Sequence, residues 1–208
     1  MFIKKLIKTF GYNEPIFANE ILELFDNYTK SYIYRLINQE MKEENLFKYS
    51  QGVYYIPNKS DFGLSTITAR DVVYKKYIYQ DGKYSGFYSG LSLANEFKLT
   101  NQLPNKIEII TNKETTRLRK ININGFQFIL RKSRLKINNK NVYTYKLLEL
   151  ITENDMQSFN EESVCYINKY IECNGITKGK IDCIIDAFPS KAVKKARILI
   201  AMLEFKNE

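Results

Sequence analysis

The chain predicts an α+β protein of two domains, on three observations. Residues 1–58 hold three short amphipathic helical patterns followed by a hairpin pattern. Residues 59–63 lie in the polar stretch Asn58-Lys59-Ser60-Asp61-Phe62-Gly63, which reads as a linker. Residues 64–208 mix strand and helix periodicities and end helical, which gives a second domain with a small, mostly antiparallel sheet.

In the first domain, Phe2, Ile3, Leu6, Ile7 and Phe10 share one face of a helix over 2–10, with Lys4, Lys5 and Lys8 opposite and Gly11 as its stop. A second helix spans about 17–25, with Phe17, Ile21, Leu24 and Phe25 turned inward. Ala18 stands at its most natural cap position, so its start lacks a capping side chain. Asp26-Asn27 turns the chain into a third helix, from about Thr29 to Glu44. There Ile33, Leu36, Ile37 and Met41 make the buried stripe, and Ser31, Arg35, Asn38 and Lys42 lie opposite. Gln39 sits beside that polar row, and Tyr32 and Tyr34 flank it. Arg, Asn and Gln make paired contacts to guanine and adenine edges in the major groove; the same pattern also fits the solvated side of a surface helix. Residues 46–49 and 53–57 then pair around Ser50-Gln51-Gly52. Three helices followed by a hairpin is the order of a winged helix-turn-helix, whose third helix enters the major groove while the hairpin lies against the backbone. Lys48 and Gln51 on the wing are candidate phosphate or minor-groove contacts. A winged helix also serves in some proteins only to dock another protein.

The second domain opens with a helix over 67–78, capped by Thr66 or Thr68. Tyr84–Tyr88 is strand-like, Ser89-Gly90 starts a short helix to about Phe97, and 99–104 is a loop. Residues 106–111 form a strand with Ile107 and Ile109 on one side. Leu118–Ile123 and Phe126–Arg131 are joined by Asn124-Gly125, a two-residue hairpin turn. Helices follow over about 143–152, 161–173, 178–187 and 191–204.

Composition narrows the function. The chain contains no histidine, which removes Ser-His-Asp and Cys-His catalysis, His-ligated metals and imidazole acid–base chemistry. Cys165, Cys173 and Cys183 lack metal-ligand spacing and read as reduced thiols in the core. Gly175–Lys180 has three residues between its glycines where a phosphate-binding loop has four, and Ile181 replaces the required Ser or Thr. Ser89 has no histidine to activate it. No catalytic residue, metal or cofactor is expected, and the chain is read as a non-enzyme. A hydrophobic content of 44% with 26% charged residues excludes wholesale disorder. No apolar run reaches the ~18–20 residues of a membrane span. The lysine-punctuated N-terminus does not read as a secretory signal, so a cytoplasmic location without membrane contact is expected.

The formal charge of +9 is unevenly placed: +1 over residues 1–60, +9 over 61–150 and −1 over 151–208. Such a middle segment suits an anionic partner. Lys113, Arg117, Arg119, Lys120, Arg131, Lys132, Arg134 and Lys136 form the candidate patch, with Arg117, Arg119, Arg131 and Lys132 on paired strands where they can converge on one edge. Arg suits forked phosphate contacts, and codon bias explains it less readily than Lys. The other reading is a solvated sheet rim.

Several short motifs in order, Gly52-Val-Tyr-Tyr-Ile-Pro57, Tyr88-Ser-Gly-Leu-Ser-Leu-Ala-Asn95, Leu99-Thr-Asn-Gln-Leu-Pro104 and Ile109-Ile-Thr-Asn112, resemble the abortive-infection AbiEi family of antitoxins over about residues 1–150. The resemblance implies a type IV toxin–antitoxin system. It implies a winged N-terminal domain that represses its own operon at inverted repeats in promoter DNA, and a C-terminal domain that opposes a nucleotidyltransferase-like toxin. Protein docking by the winged helix, or RNA binding by the 106–146 region, are the alternatives.

Overall fold

A computed structural model describes residues 2–61 and 63–202, in two compact units divided between Lys75 and Lys76. Both are mixtures of helices and small sheets, so the chain is α+β.

The first unit begins with α1 (Phe2–Phe10), whose Phe2 and Leu6 are buried. A two-residue strand β1 (Ile16–Phe17) leads into α2 (Ala18–Leu24). No Ser, Thr, Asp or Asn caps α2; instead the Phe17 backbone N–H donates to Glu20 Oε2 at 2.7 Å, so a side chain inside the first turn supplies the missing partner. In α3 (Lys30–Lys42), Thr29 Oγ1 accepts from the Tyr32 amide, and Ile33 and Ile37 face the core. β2 (Phe47–Ser50) and β3 (Val53–Tyr55) form the hairpin, with a bulge between Lys48 and Ser50 and Gly52 at φ +70° in the turn. The sheet order is β1-β3-β2, all antiparallel. Leu6, Ile16, Ile21, Ile33, Ile37 and Leu46 close one core beneath it.

The unit continues past the linker expected at 59–63. β4 (Lys59–Ser60) and β5 (Gly63–Leu64) pair as a short hairpin; Phe62 lies outside the described residues. Asn13 Oδ1 accepts from the Asn58 amide at 3.2 Å and from the Ser65 hydroxyl. Lys75 donates to the Pro15 carbonyl at 2.6 Å and pairs with Glu20 at 3.0 Å. These bonds tie residues 58–75 to the N-terminal helices, so the division falls after the linker. The expected helix over 67–78 is in two parts: α4 (Ala69–Val73), capped by Thr68 and Asp71 on each other's backbone amides, and one π-helical turn over Tyr74–Ile78.

In the second unit, β6 (Tyr79–Gln80) pairs with β7 (Lys83–Tyr84). β8 (Gly86–Ser89) runs into α5 (Gly90–Glu96), and β9 (Ile107–Thr111), β10 (Leu118–Ile123) and β11 (Phe126–Lys132) complete a sheet in the order β10-β11-β9-β8. β10 and β11 meet antiparallel through Asn124 and Gly125, both at positive φ as a tight turn of this kind needs. β8 and β9 are antiparallel, and β9 and β11 are parallel. Gly86 is fixed by close approach: a Cβ there would lie 2.4 Å from the Tyr77 carbonyl and 2.6 Å from that of Ile110.

α6 (Val142–Glu153) contacts β8 and α5, and Phe87, Ile110, Tyr145, Leu148 and Ile151 belong to the core. α7 (Glu161–Cys173), α8 (Lys178–Ile185) and α9 (Ser190–Met202) finish the unit; residues 203–204 of the expected last helix lie outside the described residues. The cysteines are a correction. All three are exposed, because α7 buries the Ser163, Ile167, Ile171 stripe and α8 buries Ile181 and Ile185, leaving Cys165, Cys173 and Cys183 off both stripes.

Candidate nucleic-acid interface

On α3 the periodicity that buries Ile33 and Ile37 turns the next residues outward. Ser31, Tyr34, Arg35, Asn38, Gln39 and Lys42 line one shallow, open depression, and all six are exposed. Tyr32, also exposed, stacks on Tyr28 with centroids 5.2 Å apart, and the Arg35 guanidinium sits 4.8 Å over its ring. That contact packs the guanidinium against an aromatic face. Gln39 Nε2 donates to Glu43 Oε1 at 2.9 Å, which uses one of the two hydrogens on that nitrogen. Lys48 and Gln51 are exposed on β2 and at the hairpin turn.

The predicted basic patch of the second unit is divided by the fold. Residues opposite each other share a face of the sheet. Arg131 is opposite Leu118, and Arg119 is opposite the buried Leu130, so Arg119 and Arg131 project from different faces. Arg119 Nε donates to Glu114 Oε2 at 2.6 Å. Desolvation pushes the buried Glu114 carboxyl up, but the Thr116 amide and hydroxyl and the Arg119 guanidinium outweigh it and hold the carboxyl at about 2. Arg131 is the centre of a second cluster, where Glu108 at 3.5 Å, Glu149 at 3.3 Å and Glu153 converge on it. Arg134 faces Glu149 at 3.6 Å, and its backbone N–H donates to the Tyr145 hydroxyl at 2.7 Å. Lys113 donates to Gln80 at 3.0 Å. Arg117, Lys120, Lys132 and Lys136 are exposed, and among the described residues none of the four has an ion pair.

Three carboxylates, Glu108, Glu114 and Glu149, are the ones the fold delivers to Arg119, Arg131 and Arg134. They come from β9, from the segment before β10 and from α6. The one local hint is Glu149 and Glu153, four residues apart on a helix that is otherwise largely apolar. Glu149 is fully buried. Burial, and then the neighbouring Glu153 charge, raise its carboxyl to about 7 against the pull of Arg134 and Arg131. Burial also pushes the Tyr145 hydroxyl up to about 12. Beside this cluster lies a cavity of about 250 Å³, with Arg117, Arg131, Lys132 and Arg134 around it, Ile110 and Leu118 as its apolar part, and Tyr145 and Glu149 from α6.

Among the described residues no group of three or more Cys, Asp or Glu side chains is arranged to hold a metal ion, and no helix is long and apolar enough to cross a membrane. No protein-family model matches the chain, and no curated protein matches it.

Proposed function

We propose that the chain is a DNA-binding antitoxin that represses its own operon, with its first unit acting as a winged helix-turn-helix and with no catalysis of its own. The observation that carries the DNA reading is the α3 face. Six polar side chains, including Arg35, Asn38 and Gln39, share one depression opposite a buried isoleucine stripe, and a hairpin follows directly. An α-helix fits the major groove, and Arg, Asn and Gln carry the donor and acceptor sets that distinguish bases there. Lys48 and Gln51 then meet phosphate or sugar, which sets register without reading sequence. The antitoxin half rests on the AbiEi-like motifs: the second unit opposes a nucleotidyltransferase-like toxin, and Arg117, Lys120, Lys132 and Lys136 are cations of the predicted patch that have no ion pair among the described residues.

The near-neutral charge of residues 1–60 and the exposed Tyr28, Tyr32 and Tyr34 favour a second reading, in which the same face docks a protein. An electrophoretic shift against DNA from upstream of the protein's own gene, beside random DNA of equal length, separates the two. Preference for the upstream DNA, with Arg35→Ala costing ~1–3 kcal/mol there and much less on random DNA, supports base reading by α3. An equal loss on both makes Arg35 a phosphate contact. Absence of a shift with either DNA favours the docking reading.

A further inference from the structure

We infer that the open edge of β10 is a docking site for an extended acidic segment of a partner protein, which adds to the sheet as a new antiparallel strand. In the order β10-β11-β9-β8, β10 is outermost, and no strand lies beyond it among the described residues. The turn fixes which of its backbone groups are free. Asn124 at φ +47° and Gly125 at φ +86° make a two-residue turn, so Ile123 and Phe126, which close it, exchange both backbone hydrogen bonds. Bonded and unbonded pairs alternate along an antiparallel ladder. Arg119 and Ile121 therefore also bond to β11, while the N–H and C=O groups of Leu118, Lys120 and Asn122 point away from it. These three residues are exposed.

An edge of this kind is a template for another chain, and proteins commonly blunt it with a bulge, a proline or a very short strand. β10 has none of these: its six residues pair with β11 in unbroken register. Charge is the guard that remains, and it selects the partner. Arg119 is matched by Glu114, whereas Arg117 and Lys120 have no ion pair among the described residues. A second copy that used all three free residues would set two Lys120 side chains directly opposite each other, and like charges so placed are unfavourable. A carboxylate at that position reverses the sign. On the other face Ile121 and Ile123 are half-buried, with the exposed Phe126 opposite Ile123, so alternate residues of an added strand meet an apolar row. The free donors and acceptors repeat every second residue, which is the spacing of a polypeptide strand; a nucleic acid would use the cations but not that spacing. The inference does not depend on the operator reading.

Fluorescence anisotropy of the full chain with labelled, end-blocked peptides of alternating glutamate and valine, matched to the length of β10, tests this. At low ionic strength the glutamate peptide binds at least about tenfold tighter than its lysine–valine counterpart. Residues opposite each other in a bonded antiparallel pair share a face, so the glutamates that face Lys120 are the ones whose amides bond to β10. N-Methylation of the glutamate amides therefore abolishes binding, whereas N-methylation of the valine amides leaves it within about threefold. Lys120→Glu reverses the preference toward the lysine peptide, with the melting temperature unchanged. Leu118→Pro removes an outward N–H that β11 does not use, and it weakens binding more than Leu118→Ala does. No binding of the glutamate peptide, equal binding of the two peptides, or equal effects of the two methylation patterns each overturns the proposal. A single-stranded oligonucleotide that binds more tightly than the glutamate peptide and loses affinity in Lys120→Glu overturns it in favour of a nucleic acid.

Discussion

The outer face of α3 and the β10–β11 region make opposite use of charge. Residues 1–60 are nearly neutral, yet the side chains that face out from α3 are exposed together, and Arg35 lies over a tyrosine ring with no ion pair among the described residues. Residues 61–150 carry the whole positive excess, yet Arg119, Arg131 and Arg134 face Glu114, Glu108, Glu149 and Glu153. The difference teaches that net charge along a segment is a poor guide to the surface a partner meets. An arginine matched by a buried carboxylate acts as internal scaffolding, and exposed lysines around it carry the outward field.

The strongest way to break this comparison is at Arg131. Arg131→Ala takes from the buried Glu149, beside Glu153, one of its two guanidinium partners, and breaking such a pair costs about 3–5 kcal/mol when fully buried. Arg131 is 25% exposed, so a loss near 3 kcal/mol is expected in denaturant unfolding of the second unit. The adjacent Lys132→Ala should change stability by no more than about 0.5 kcal/mol. Equal small effects would mean that the arginine cluster is not scaffolding. For the same reason, reversing charge at Arg119, Arg131 or Arg134 tests folding before it tests function.

The next largest effect tests the proposed antitoxin role. Reversing Arg117, Lys120, Lys132 and Lys136 together should abolish growth rescue in cells expressing the cognate toxin, with the melting transition and operator preference retained. Full rescue by that variant makes these cations a solvated rim.

A smaller effect separates the two buried carboxylates by pH. Glu114 is held at about 2, below its ordinary 4.5, so its stabilisation is complete above about pH 4.5 and lost as pH falls toward 2. Glu149 is raised to about 7, so its ionised form weighs against folding increasingly as pH rises from about 4.5 through 7. In thermal melts the advantage of the natural protein over Glu114→Gln should shrink from about pH 5 to about pH 3. The melting temperature of Glu149→Gln relative to the natural protein should climb by a few degrees from about pH 5 to about pH 8. Trends of the other sign would show that the partners of these groups are misassigned.

The smallest effect tests the proposed DNA contact of the β2–β3 hairpin. Lys48→Ala should weaken binding to all DNA sequences alike and lower the salt slope by ~1. A changed sequence preference with an unchanged slope would move the proposed contact of this hairpin from the DNA backbone to the bases.

What could be read from the sequence was local. Thr29 at the start of α3, the isoleucine spacing within it and Asn124-Gly125 between β10 and β11 each act over a few residues, so their elements lie within a residue or two of expectation. β1 escaped because two residues carry no period, and its partner in the register, Tyr54 opposite Ile16, is distant in sequence. The π turn after α4 and the Glu20 bond that starts α2 likewise have no pattern a propensity argument detects. Exposure of the cysteines was misread because burial is common for the residue type, whereas the stripe positions of α7 and α8 decide it here.

By itself the sequence determined the class of fold, the inward faces of the first three helices and the exclusion of histidine chemistry, because periodicity and residue type are properties of short windows. Tertiary structure alone decided which charges remain free. Glu108, Glu149 and Glu153 meet Arg131 only once β9, β11 and α6 have packed. Coulomb energy depends on separation and burial, and neither is written in the order of residues along the chain.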